Sequence, residues 1–311
     1  MRIWKVGIIG LGKIAHDQHM PVIAGNKAFQ LAAITSQRGL TVPGVPTFKT
    51  PAEMYRAVPD IDAVAVCTPP QARHATANEA LAAGKHVMLE KPPAATLSEL
   101  HDLVVFAAEK GRVLFTTWHS QYNAAVVATK KALAGKAVKR LAVNWKEDVR
   151  RWHPGQKWIW TSGGFGVFDP GINALSIVSR IMPTAIFVKS AELTFPANCD
   201  APIAAKLVFS TGTQDANLAA VFDWRQTGPQ TWEIVIETGD GAKFHLKNGG
   251  TKLTHNGKLV VEEKSTEYEQ IYERFAEILE ANRSDIDVAP LRLVADAFLV
   301  GRRLQTEPFI E

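Results

Sequence analysis

Short apolar runs without polar alternation, each followed by a stretch with helical spacing, fill roughly the first 120 residues of this chain. The runs at 3–9, 31–35, 63–67, 87–89 and 113–116 predict strands covered on both faces, as in a buried parallel sheet. Stretches 17–24, 51–57, 74–83 and 97–110 predict helices between them. Gly84 and Gly111 stand just past two of these helices, beside Lys85 and Arg112, as helix stops do. Strand and helix in this order build right-handed βαβ units and a doubly wound sheet.

Past about residue 120 the period changes. A helix at 124–133 precedes alternating runs at 140–145, 186–193, 204–209, 217–223, 233–238, 243–246 and 252–253. Gly/Asn/Asp turns such as Thr238-Gly239-Asp240-Gly241 and Asn256-Gly257 separate them, which predicts hairpins. Helices are expected at 170–181, 266–281 and 290–303. The fold class is therefore α/β, an amino-terminal doubly wound parallel sheet (1–120) followed by an α+β domain with a large, mostly antiparallel open sheet (121–289). Residues 290–311 are expected to pack back on the first domain as a closing helix. An open sheet of that extent needs its outer face covered, so a homodimer or homotetramer is expected.

Composition changes this picture little. With 46% hydrophobic and 21% charged residues over 311 positions, two globular domains can each bury a core. The net charge of +4 suits an anionic cofactor. The basic pairs Lys130-Lys131, Lys139-Arg140, Arg150-Arg151 and Arg302-Arg303 are scattered, so no nucleic-acid partner is expected. Cys67 and Cys199 suggest neither a disulfide framework nor a zinc site. No apolar run reaches the ~18 residues of a membrane span, and the first strand begins almost at Met1. A cytoplasmic location is expected.

The first strand runs into Gly10-Leu11-Gly12-Lys13-Ile14-Ala15, with a helical segment after it. This is the G-x-G-x-x-G/A dinucleotide fingerprint in its required strand–turn–helix context. Gly10 makes the tight turn, Gly12 lets a pyrophosphate approach the backbone, and small Ala15 lets helix and strand pack closely. The domain is thus read as a Rossmann fold. Lys13, next to Ile14 inside the motif, reaches the phosphates or lies on the surface. An acid ending the second strand would favour NAD. Here that strand ends in Thr35-Ser36-Gln37-Arg38, where Ser36 and Arg38 suit a phosphate. NADP is expected over NAD, unless Arg38 is only a solvated cation.

Open α/β sheets bind ligands at the carboxyl ends of their strands. Cys67-Thr68-Pro69-Pro70 closes the third strand, its prolines stiffening the loop over the cofactor crevice. His74 follows, to face the cofactor or to satisfy its own helix. Glu90-Lys91-Pro92-Pro93 closes the fourth strand. A lysine fixed there donates to a substrate oxygen, unless Lys91 is a solvated turn residue.

These segments, with Gly84-Lys85-His86-Val87-Met88-Leu89-Glu90-Lys91-Pro92 and the later Gly163-Gly164 and Asp169-x-Gly171, resemble the glucose–fructose oxidoreductase / inositol dehydrogenase (Gfo/Idh/MocA) family across essentially the whole chain. The resemblance implies a carboxy-terminal sheet domain and oxidation of a polyol or sugar carbon by NAD(P). Within the family, Trp145-Lys146-Glu147-Asp148-Val149-Arg150-Arg151-Trp152-His153-Pro154-Gly155-Gln156 and Phe168-Asp169-Pro170-Gly171-Ile172-Asn173-Ala174-Leu175-Ser176 are similar to the bacterial aldose 1-dehydrogenases, which act on L-arabinose and D-galactose. Asn173 stands where the broad family carries a histidine that acts as acid/base. A neutral amide cannot be a general base, so the role passes to Asp169, four residues earlier and on the same helical face. Asp169-Pro170 also has the form of a helix N-cap.

The implied chemistry is oxidation of a cyclic aldose at C1 to its lactone. Asp169 takes the hydroxyl proton, Lys91 stabilises charge on oxygen, and Asn173 orients the substrate or the base. Lys91 and Asp169 can exchange roles. His119, Glu147, Trp152 and His153 are the expected sugar contacts, with Trp158 and Trp160 expected in packing. No metal-ligand spacing occurs, so a metal-free site is expected. The rival readings are an inositol or polyol dehydrogenase and a non-catalytic NADP(H) sensor.

Overall fold

Six parallel strands form the first sheet of the computed structural model, which describes residues 2–212 and 216–311. In chain order the elements are β1 (Trp4–Ile9), α1 (Met20–Gly25), β2 (Phe29–Thr35), β3 (Thr47–Phe48), α2 (Pro51–Ala57), β4 (Ala63–Val66), α3 (Pro70–Ala82), β5 (His86–Leu89), α4 (Leu97–Glu109) and β6 (Leu114–Thr116). Their spatial order is β3-β2-β1-β4-β5-β6, the doubly wound order of dinucleotide-binding domains. β4 and β5 are buried along their whole length, which is why their sequences, Ala-Val-Ala-Val and His-Val-Met-Leu, show no polar alternation. Capping boxes open α2 (Thr50 with Glu53) and α4 (Thr96 with Glu99), satisfying amides that the helix leaves unpaired.

Then follow α5 (Ala124–Leu133), β7 (Val138–Lys146), α6 (Val149–Trp152), α7 (Phe168–Ile181), β8 (Phe187–Pro196), β9 (Ala204–Ser210), β10 (Asn217–Asp223), β11 (Thr231–Thr238), β12 (Lys243–Lys247), β13 (Lys252–His255), β14 (Lys258–Glu262), α8 (Glu267–Glu280), α9 (Ala289–Val300) and β15 (Gly301–Thr306). The second sheet runs β14-β13-β12-β11-β7-β10-β9-β8-β15. Only β10 with β7 and β15 with β8 pair in parallel, so the sheet is mixed and mostly antiparallel, as expected. Alternation decides its faces. Leu141 and Val143, Leu218 and Phe222, and Ile234 and Ile236 are buried, while their chain neighbours are more exposed. Helices α5, α7 and α9 pack on strands of this sheet.

The chain divides into two units, Met1–His119 with Glu267–Val288, and Ser120–Thr266 with Ala289–Glu311. This corrects the expected boundaries twice. Helix α8 falls in the first unit rather than in a 121–289 domain, because its apolar stripe finds its partners there. Phe275 stacks at 5.9 Å on both Phe29 and Phe115, and Tyr272 meets Phe29 edge-on at 5.2 Å. The expected closing helix belongs to the second unit and is shorter. α9 packs on α7 and β8, and from Gly301 the chain is strand β15, hydrogen-bonded along β8. The charges of Gly-Arg-Arg-Leu-Gln-Thr hide an alternation in which Leu304 and Thr306 turn inward while Arg303 and Gln305 stay exposed. β15 thereby covers the edge of β8. Strands β3 and β14 were not legible, the first because it is two residues long and the second because most of it is exposed.

Candidate functional site

In the first unit the fingerprint has the shape that its sequence demands. Gly10 has φ +98°, and a side chain there would press within 3.1 Å of the Cys67–Thr68 backbone at the end of β4. Gly12 is the opposite case. No protein atom lies within 4 Å of where its Cβ would be, and its φ is not positive. Neither side chains nor backbone occupy the space over Gly12, which leaves its own backbone open to the approach of a ligand. Thr68 adds a second sign, since its Oγ1 is buried with no partner among the described residues. Ala15 is fully buried, and the helix starts as a π-helical turn, Ala15–His19. The residues present therefore fit a dinucleotide.

The remaining expected cofactor residues separate. Lys13 pairs with Asp17 one turn along its own helix, and Ile14 is half-buried. Ser36 is buried, and its Oγ accepts the Leu40 amide at 3.1 Å, which closes the loop that leaves Gln37 and Arg38 exposed. Cys67 is half-buried just past β4, not inside it. Pro69 and Pro70 open α3, as N-cap and first helical residue. His74, on α3, hydrogen-bonds Asp102 of α4 at 2.7 Å, so its ring has a partner within the fold.

Glu90 is the largest surprise of this unit. Expected beside the cofactor, its carboxylate is instead buried at the centre of a polar cluster. Oε1 meets His19 Nε2 at 3.0 Å and accepts the Tyr268 hydroxyl at 2.8 Å, while Oε2 accepts the Lys91 amide at 3.0 Å. His19 Nδ1 meets the Tyr272 hydroxyl at 2.8 Å. Burial pushes the Glu90 carboxyl up, but the His19 ring bonded to it, helped by His119 and Arg73, overcomes this and holds its pKa at about 2. Burial likewise opposes a charge on His19, and Cys67, Tyr272 and Glu90 raise its pKa well above the ordinary value. Buried Arg73 donates to the carbonyls of Glu90 (2.8 Å) and Pro92, on either side of Lys91, and the Lys91–Pro92 peptide is cis. Lys91 is thus held by backbone bonds on both sides. His119 Nδ1 pairs with Glu267 at 2.9 Å, and its ring stacks on Tyr268 at 5.5 Å. His19, Arg73, Tyr268 and Tyr272 were not foreseen, since nothing in the local pattern marks them.

The second unit gathers most of the expected sugar residues. The loop before α7 is packed backbone against backbone, for a Cβ on Gly164 would lie 2.1 Å from the Trp158 carbonyl. Out of it comes Asp169, buried in the first turn of α7. The N-cap is Val167, not Asp169, which removes the capping reading. The helix dipole favours a carboxylate there. Asp169 Oδ2 lies 3.7 Å from His153 Nε2, and that nitrogen lies 3.6 Å from Glu147 Oε1. Asn173, one turn after Asp169, is half-buried on α7.

Glu147, just past the end of β7, is buried. Both its oxygens are engaged, Oε1 accepting Trp224 Nε1 at 3.2 Å and Oε2 accepting Trp232 Nε1 at 2.9 Å. His153 lies 5.2 Å from the Trp224 ring, and its Nδ1 is buried without a partner among the described residues. Trp152 tilts against Trp232 at 5.3 Å. Trp160 packs on Trp224 at 5.2 Å. Trp224 and Trp232 were missed, because β10 and β11 had to be placed before their indoles could meet Glu147. Among the described residues, no group of three or more His, Cys, Asp or Glu is arranged to hold a metal ion, and no helix is long and apolar enough to cross a membrane.

Residues 4–118 match an oxidoreductase family with an NAD-binding Rossmann fold. Over 307 residues the chain is 42% identical to galactose 1-dehydrogenase of Pseudomonas fluorescens, covering 99% of each. The crystal structure of D-galactose-1-dehydrogenase from Rhizobium etli superposes with a TM-score of 0.94 at 52% identity, covering 100% of this chain and 99% of that one. KijD10, a 3-ketoreductase from Actinomadura kijaniata solved with NADP, shares the fold at 18% identity, with a TM-score of 0.83 over 98% of this chain and 100% of its own.

Proposed function

The chain belongs to the Gfo/Idh/MocA oxidoreductase family, and we propose that it is an aldose 1-dehydrogenase that oxidises D-galactose, L-arabinose or both at C1 to the lactone. The observation that carries this reading is the cluster of buried Asp169 and Glu147 with half-buried His153, in contact with Trp224 and Trp232, on which Trp152 packs. Carboxylate and imidazole grip sugar hydroxyls, and indole faces cover C–H surfaces. The full-length likeness to two galactose 1-dehydrogenases supports the same substrate class.

The nicotinamide dinucleotide, when bound, accepts the hydride that leaves C1. Gly10, Gly12 and Thr68 would hold its pyrophosphate side, with Ser36, Gln37 and Arg38 favouring NADP over NAD. Asp169 takes the C1 hydroxyl proton as the C1–H bond breaks and the C1=O bond forms. Lys91, just past the carboxyl end of β5, is assigned as a donor that stabilises developing charge on a substrate oxygen. Asn173 orients the sugar. His153 Nδ1, buried with no partner among the described residues, is a ready partner for a ring hydroxyl. Glu147 holds His153 and the two indoles in place instead of gripping the sugar itself. His119, tied to Glu267 and stacked on Tyr268, is held within the first unit.

L-arabinose and D-galactose share their configuration from C1 to C4, so both enter unless the extra hydroxymethyl group of galactose is blocked. We further infer a homodimer or homotetramer that covers the open face of the second sheet, where Phe187 and Val208 are exposed, and a cytoplasmic location. The test is a screen of aldoses and inositols with NAD and NADP, read at the reduced nicotinamide absorbance. Turnover of free aldoses with NADP supports the proposal. Turnover of inositol alone, or NADPH binding without turnover of any sugar, overturns it.

Gly12 offers a separate check on the cofactor. Because a Cβ there meets no protein atom, Gly12→Val is expected to weaken NADPH binding by about tenfold or more while shifting the thermal midpoint by less than about 2 °C. Fluorescence titration and calorimetry measure the two. Unchanged binding would remove the fingerprint from the nucleotide site.

A further inference from the structure

We propose that the segment after β15, residues 307–311, straps down the loop that presents Trp152 and His153, with Phe309 as the positioning residue. The proposal rests on the sugar-binding role given to that loop above, and every residue in it belongs to the second unit.

The loop needs an outside support. Between Glu147 and the 3-10 turn at Lys157–Trp160 its only regular structure is α6, four residues long. So short a helix has almost no stability of its own. Asp148 caps it, and Val149 is buried beneath it, but Arg150, Arg151, Pro154 and Gly155 are exposed.

Residues 309–311 bind the loop at both ends. The Arg150 guanidinium lies 4.6 Å from the Phe309 ring, and its Nη2 donates to the Ile310 carbonyl at 2.7 Å. The Gly155 amide donates to the Glu311 carboxylate. Trp152 and His153 lie between these two attachments. The strap is itself anchored to the body of the unit. Asn198 makes a two-way pair with Phe309, accepting its amide at 2.9 Å and donating to its carbonyl at 2.8 Å.

Phe309 also reaches the sugar residues through packing. Its ring lies 4.8 Å from Trp160, Trp160 meets Trp224 at 5.2 Å, and Trp224 bonds Glu147 and faces His153. One aromatic side chain thereby braces both the loop and the indole that orients the carboxylate.

The test is Phe309→Ala, with Phe309→Tyr as the conservative partner. Losing one aromatic pair and one cation–π contact is expected to raise KM for the aldose roughly tenfold, with KM for NADP within about twofold. Phe309→Tyr is expected to restore the wild-type value. An unchanged sugar KM, or sugar and cofactor KM rising together as the thermal midpoint falls, overturns the positioning role. Hydrogen exchange reads the same claim without activity. Amides at 149–156 are expected to exchange faster in Phe309→Ala, by about tenfold, while those of β9 and β10 do not change. Unchanged exchange sinks the strap whatever the enzyme oxidises. Faster exchange in a wild-type background that turns over no aldose would keep the strap and reject the substrate.

Discussion

Asp169→Asn is expected to lower kcat for aldose oxidation by about 10²–10⁴-fold, with cofactor binding unaffected. The substitution is nearly isosteric. It keeps a polar group beside His153 and the N-terminal turn of α7, but an amide cannot take the C1 hydroxyl proton. Since Val167 and not Asp169 occupies the N-cap, loss of activity cannot be assigned to a lost helix cap. The comparison is Lys91→Met. If Asp169 is the base, the acid limb of the kcat/KM profile disappears in Asp169→Asn and persists, on a lower plateau, in Lys91→Met. If the two roles are exchanged, the limbs exchange as well. Near-normal turnover by Asp169→Asn would end its assignment as the base. A variant that has lost sugar affinity but not kcat would make Asp169 a binding group only.

The first sheet was almost fully legible because its signals are local. The fingerprint, the buried strands and the Gly84 and Gly111 stops each declare themselves within a few residues. Domain membership was not. The stripe of Tyr268, Tyr272 and Phe275 predicts a helix, yet which core it joins depends on Phe29 and Phe115, more than 150 positions away. The same limit governs the site. Residue type and motif pointed to Asp169, Asn173, Glu147, Trp152 and His153, and the structure gathers them in the second unit. Their division of labour was hidden, because the indoles that engage Glu147 come from distant strands. Glu90 shows the same limit from the other side. A charged residue at a strand's carboxyl end reads as a ligand group, but its partners His19 and Tyr268 lie far along the chain and turn it inward.

Glu90→Ala is expected to destabilise the first unit by about 3–5 kcal/mol, lowering its thermal midpoint by roughly 10 °C. Removing the carboxylate strands the His19 ring, the Tyr268 hydroxyl and the Lys91 amide, all bonded to it. A buried charge, a buried donor and a part-buried donor then have no counterpart. Because the last of them fixes the backbone of Lys91, turnover falls as well. Glu90→Gln keeps the volume and separates the charge from the packing. The folded carboxyl titrates at about 2 against an ordinary 4.5, so its contribution is present above the unfolded value and is lost as pH falls through the folded one. His19 runs the other way, with its pKa raised. Its share is complete below about 6.5 and fades as pH climbs through the folded value. The stability gap between wild type and Glu90→Gln is therefore widest between roughly pH 5 and 6.5 and shrinks by about 2 kcal/mol on moving from pH 6 to pH 3. Urea titrations at the two pH values measure it. A gap that stays constant over that range would show that folding leaves the Glu90 carboxyl at its ordinary value, and one that widens toward pH 3 would show that Glu90 is protonated in the folded protein and that its buried ion pair must be redrawn as neutral hydrogen bonds.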